Sequence, residues 1–91
     1  MRKRVAILVS GYVQGVFYRA TTLKKAKELN LTGFVRNEKD GKVKIVAEGE
    51  EKQLEEFIER IKKGTLFANV SKIEVKWDKA QGEFKDFEIR Y

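Results

Sequence analysis

Apolar positions along the chain alternate between two spacings. From Arg4 to Ser10 (RVAILVS) apolar residues stand on both faces, the pattern of an interior strand. Gly11 to Gly15 (GYVQG) then breaks the strand into a loop. Ala20, Leu23, Ala26 and Leu29 recur on one helical side, with Lys24, Lys25, Lys27 and Glu28 outside, and Asn30 is a fitting helix end. Thr32–Asn37 (TGFVRN) and Lys42–Glu48 (KVKIVAE) read as strands joined by Glu38-Lys39-Asp40-Gly41, whose Asp-Gly is a strong hairpin signal. Leu54, Phe57, Ile58 and Ile61 mark the clearest amphipathic helix, which Gly64 stops. Val70–Trp77 places Ser71, Ile73, Val75 and Trp77 on one side of a further strand, with Trp77 expected in the core. Phe87, Ile89 and Tyr91 alternate in a short last strand.

This order, β-α-β-β-α-β plus a terminal strand, predicts an α+β fold. Two right-handed βαβ crossovers give a ferredoxin-like sandwich, an antiparallel sheet with both helices on one face. In that topology the strand carrying Asn37 and the first strand are candidates for neighbours in the sheet. The 91 residues suit one domain spanning 1–91. No run approaches the ~18 apolar residues of a membrane span, so no membrane partner is expected.

Composition then removes whole classes of chemistry. Histidine and cysteine are both absent. His/Cys zinc sites, Ser-His-Asp triads, Cys-His nucleophiles and disulfides are therefore impossible. Lack of cysteine fits a reducing cytoplasm, the expected location. Carboxylates such as Asp40, Asp78 and Asp86 are scattered without metal-ligand spacing, so no metal and no cofactor are expected. The net charge of +6 favours anionic partners.

One loop is suited to an anion. In Gly11-Tyr12-Val13-Gln14-Gly15-Val16-Phe17-Tyr18-Arg19 two glycines four apart permit a tight loop with exposed backbone. Its N–H groups, with the positive end of the following helix, would cradle an anion. Arg19 would offer a planar fork of donors to two phosphate oxygens. Taken alone, the segment also fits an ordinary glycine loop before a surface arginine, and it is neither a Walker A loop nor a GxGxxG turn. Asn37, at a strand end before a hairpin, also has a purely local reading as a turn residue.

Together these residues resemble the acylphosphatase family. Gly11-x-Val13-Gln14-Gly15-Val16-x-Tyr18-Arg19 is similar to the signature GxVQGVxFR, with Tyr18 for the usual Phe. Gly33-Phe34-Val35-Arg36-Asn37 with Asp40-Gly41-x-Val43 resembles the second motif, which continues into Val46-Ala47-Glu48-Gly49. The resemblance extends to Ala68-x-Val70 and the ending Phe87-Glu88-Ile89-Arg90-Tyr91. It implies metal-free hydrolysis of acyl phosphates to a carboxylate and inorganic phosphate. It implies that the amides of Gln14, Gly15, Val16, Phe17, Tyr18 and Arg19 hold phosphate with the Arg19 guanidinium. It implies that Asn37 orients the attacking water. Two departures matter. Glu38 stands where many members carry a hydroxyl residue, and Tyr91 ends the chain where some relatives bring a terminal carboxylate to the arginine. The implied partners are a small acyl phosphate and phosphate, with a monomer as the expected state. Two rivals compete with this reading. A regulatory domain would bind an anion without chemistry. An RNA-binding module would need several stacking aromatics on the open face where Leu31–Val35 supplies only Phe34, so no specific nucleic acid is expected.

Overall fold

The computed structural model describes residues 1–15, 17–65 and 68–91. The elements are β1 (Arg2–Tyr12), α1 (Tyr18–Glu28), β2 (Thr32–Asn37), β3 (Val43–Glu50), α2 (Glu51–Lys63), β4 (Asn69–Lys79) and β5 (Phe87–Arg90). They build one five-stranded sheet in the order β4-β1-β3-β2-β5. β3 is antiparallel to both β1 and β2, and β4 is antiparallel to β1. The ferredoxin-like sandwich and its extra terminal strand are present, with two corrections. β5 runs parallel to β2, so the sheet is mixed rather than antiparallel. A second correction concerns neighbours: β3 lies between β1 and β2, because each βαβ crossover skips one strand.

The core forms where the two spacings meet. Val5, Ile7 and Val9 of β1, Val35 of β2 and Val43, Ile45 and Ala47 of β3 point to the helical side and are fully buried or nearly so. Leu54, Phe57, Ile58 and Ile61 of α2 close over them. Burying side chains of this size stabilises by roughly 1.5–3 kcal/mol each. α1 departs from the expected stripe. It starts at Tyr18, two residues early, and buries Tyr18, Thr22 and Ala26, leaving Ala20 exposed. Its far end is a Schellman turn: Asn30 takes φ 58, its N–H donates to the Lys27 carbonyl and that of Leu31 donates to Ala26. Trp77 is 42% exposed and not in the core, because β4 is an edge strand and the apolar cluster takes in only its Ile73 and Val75 from this row.

The chain between β4 and β5 crosses the face away from the helices. Glu48, completely buried there, accepts hydrogen bonds from the Gln81 and Gly82 amides at 2.8 and 3.0 Å and from Arg4 at 3.2 Å. Arg4 also pairs with Glu83, and Phe84 meets Phe34 edge-on at 5.9 Å. The crossing ends where Gly33 donates to the Asp86 carbonyl. Held in this way, the chain enters β5 alongside β2 and in the same direction. Its last residues are thereby carried to the end of the sheet where Asn37 stands.

Candidate active site

The loop begins at a bulge. Pairing of β1 with β4 shifts register between Ser10 and Gly11, and Gly11 has φ 132 with its Cα against the Asn69 carbonyl, a position closed to any side chain. Buried Val13 pins the chain again, and Gly15 turns it with φ 73. Phe17, the residue capping α1, has φ 60, a strained setting for a bulky side chain. Among the described residues no side chain caps this helix, and no acid lies in its first turn. The amides of Tyr18, Arg19 and Ala20 are among those that an α-helix leaves without an internal carbonyl, and they carry the positive end of its dipole.

These elements enclose a cleft of about 290 Å³. Gly15, Phe17, Tyr18 and Arg19 line it from the loop and α1, Asn37 from β2, and Ile89 and Tyr91 from the chain end. Arg19 and Asn37, 18 positions apart in sequence, thus face one space. Of the other expected residues, Gly15, Phe17, Tyr18 and Arg19 line the cleft, Gln14 does not, and Val16 lies outside the described residues.

The guanidinium of Arg19 sits 4.7 Å from the centre of the Tyr91 ring, and no carboxylate pairs with it among the described residues. The ring of Tyr91 therefore meets Arg19. Asn37 is half-buried; its Oδ1 is fully buried, and no described group donates to it. The Glu38 side chain turns to Arg36, whose Nε donates to it at 2.9 Å, and not to Asn37. Burial pushes the Tyr18 hydroxyl well above the usual phenol range, despite Thr22 beside it, so it stays protonated under the site. A second hollow, lined by Arg36, Asn37, Glu38, Lys39, Asp40 and Tyr91, adjoins the cleft through Asn37 and Tyr91.

One contact was missed in the sequence. The Gln14 side chain leaves the cleft and donates from Nε2 to the Glu38 and Lys42 carbonyls, both at 2.8 Å. The motif points to its backbone amide alone. Among the described residues no three His, Cys, Asp or Glu side chains gather where they would hold a metal ion. No helix among them is long and apolar enough to cross a membrane.

Comparison with known proteins gives the family. The model of the family described as Acylphosphatase matches residues 5–89. The acylphosphatase of Caldanaerobacter subterraneus subsp. tengcongensis is 42% identical over 89 residues, covering 98% of this chain and 99% of that one. That of Thermus thermophilus is 45% identical over 86 residues, covering 94% and 97%. The crystal structure of acylphosphatase from Bacillus subtilis superposes with a TM-score of 0.94 at 37% identity, covering 98% of this chain and 99% of that one.

Proposed function

The chain belongs to the acylphosphatase family, and from that premise we propose that Arg19, the backbone amides of residues 14–19 and Asn37 carry out its reaction. The reaction is hydrolysis of an acyl phosphate to a carboxylate and inorganic phosphate. One observation carries the assignment: Arg19, the uncapped start of α1 and Asn37 arrive on separate elements and line one cleft of about 290 Å³.

In this reading the phosphate of the substrate docks on the amides of Gln14, Gly15, Val16, Phe17, Tyr18 and Arg19. The guanidinium clamps two of its oxygens. A cation in the first turn of a helix is unfavourable by roughly 0.3–1 kcal/mol, and a bound dianion reverses that sign. The buried Oδ1 of Asn37 has a lone pair to offer and accepts one hydrogen of the attacking water. The water oxygen forms a bond to phosphorus as the bond from phosphorus to the acyl oxygen breaks in line.

Histidine is not needed. The leaving group is a carboxylate whose conjugate acid has a pKa of about 4, so it departs without being protonated. A loose phosphoryl-transfer transition state asks little basicity of the nucleophile, and the phosphate oxygens can take the water's proton. What remains is positioning and charge stabilisation, which a fixed cradle, one fork and one amide supply. We take this to proceed without a metal, in the cytoplasm, in a monomer that uses residues 1–91 as one unit and requires neither membrane nor nucleic acid.

The test is hydrolysis of benzoyl phosphate in excess chelator by wild type and Arg19→Ala. Turnover by the wild type that falls on the order of 10³–10⁵-fold in the variant supports metal-free chemistry centred on Arg19. Near-normal turnover in Arg19→Ala removes Arg19 from the mechanism. A folded wild type that binds phosphate without turnover favours the anion-binding alternative.

A further inference from the structure

Resting on that assignment of Asn37, we propose that the Gln14 side chain is a positioning residue that fixes Asn37 relative to the phosphate cradle. The sheet alone does not do this. Val43 is the register partner of both Val9 and Asn37, so the ladder aligns β1, β3 and β2 only as far as that row. Beyond it loop residues 11–15 and the turn of residues 38–42 project separately. β1 and β2 share no hydrogen bonds, because β3 lies between them. Gln14 crosses the gap. Its carboxamide nitrogen has two hydrogens, and each goes to a carbonyl at the mouth of the turn, Glu38 on one side and Lys42 on the other. The same carbonyls already close the turn, since the Glu38 amide donates to Lys42 at 2.8 Å and Gly41 to Glu38 at 3.3 Å.

The orientation of the carboxamide follows from its partners. Both are acceptors, so an oxygen in place of Nε2 would face two carbonyl oxygens. Glu38 follows Asn37 directly, and Gln14 stands between Val13 and Gly15, both of which line the cleft. The strut therefore joins the two halves of the site at the residues adjoining each. It also answers the departure at position 38: where the side chain after Asn37 turns to Arg36, the backbone of the same residue is held by Gln14. Shifting a water-orienting group by about 1 Å costs on the order of 10²-fold in rate, so a strut at this place controls turnover.

The test uses Gln14→Met, which keeps the reach and neutrality of the side chain and removes both donors. On benzoyl phosphate, kcat is expected to fall about 10–100-fold, while the inhibition constant of inorganic phosphate changes less than about threefold. That retained phosphate affinity also shows the cradle still folded. Gln14→Asn keeps the donors one methylene short and is expected in between. In an Asn37→Ala background the Gln14→Met change should cost less than about threefold, because its effect acts through Asn37. Unchanged kcat in Gln14→Met, or its full loss repeated in the Asn37→Ala background, overturns the proposal while leaving the functional reading intact. Undiminished turnover in Asn37→Ala overturns the role of Asn37 itself and the strut with it.

Discussion

Arg19 occupies a position that folding alone does not favour. It is a cation in the first turn of α1, where the helix dipole is positive, and no carboxylate among the described residues neutralises it. Tyr91 stacks on it, which orients the planar group and leaves its hydrogen-bonding edge free. A lysine at this position would keep the charge and lose both the fork and the stacking. Arg19→Lys is therefore expected to recover less than about a tenth of wild-type kcat on benzoyl phosphate; recovery near the wild-type value would show that a point charge suffices. Asn37 is the complementary case. Its removal should lower kcat by about 10²–10³-fold, the scale of one well-placed polar group, with phosphate inhibition retained. Loss of phosphate binding in Asn37→Ala, measured by the same inhibition assay, would move the residue from the water to the phosphate.

At the scale of elements, the segment of residues 80–86 decides where the last strand goes, and Glu48 holds it. Burial alone would raise the Glu48 carboxyl, but the Gln81 and Gly82 amides and Arg4 outweigh burial and hold it below the usual carboxylate range. The folded state thus binds the proton less readily than the unfolded chain, whose glutamate titrates near 4.3. The resulting stability is fully present above that value and is lost as pH falls through the lower, folded one. Glu48→Gln keeps the shape and loses the charge; at pH 7 it should cost about 1–3 kcal/mol, or several degrees in melting temperature. The deficit should shrink as acid protonates the wild-type carboxyl, so melting curves of the two proteins from pH 7 to pH 3 should converge. A constant gap would assign the cost to packing. This element also marks the limit of what the sequence discloses. β2 and α2 were legible because local patterns, a turn with Asp40-Gly41 and the Leu54–Ile61 stripe, determine them. The parallel entry of β5, the exposure of Trp77 and the contact from Gln14 to residues 38 and 42 depend on which strand neighbours which. Thr22 hid the true face of α1, since a polar residue had taken a core position. Arg19 and Asn37 were legible as a pair through the family resemblance, whereas local pattern alone leaves each an ordinary surface or turn residue.

At the scale of the whole molecule, the question is whether the net charge of +6 takes part in the reaction. Many acidic side chains are already engaged: Glu38 with Arg36, Glu88 with Arg90, Glu28 and Glu56 with Arg60, and Asp40 with Lys42. Such exposed pairs add little to stability. Their effect is to cancel fields locally and leave the cleft, with an Arg19 that no carboxylate pairs among the described residues and the positive end of α1, as the proposed centre of attraction for a dianion. The Debye length falls from about 30 Å at 0.01 M salt to about 3 Å at 1 M, so the long-range share of this attraction can be screened out. Contacts inside the cleft are shorter than the screening length through most of that range and persist. With chloride as the only added anion, kcat/KM for benzoyl phosphate should fall about three- to tenfold between 0.01 and 0.5 M, almost entirely through KM, with kcat nearly constant. A flat kcat/KM would mean that recognition is confined to the cradle and the surplus charge serves solubility alone. A matching fall in kcat would mean that salt reaches the transition state, and that the cleft is more open to solvent than its bounding residues imply.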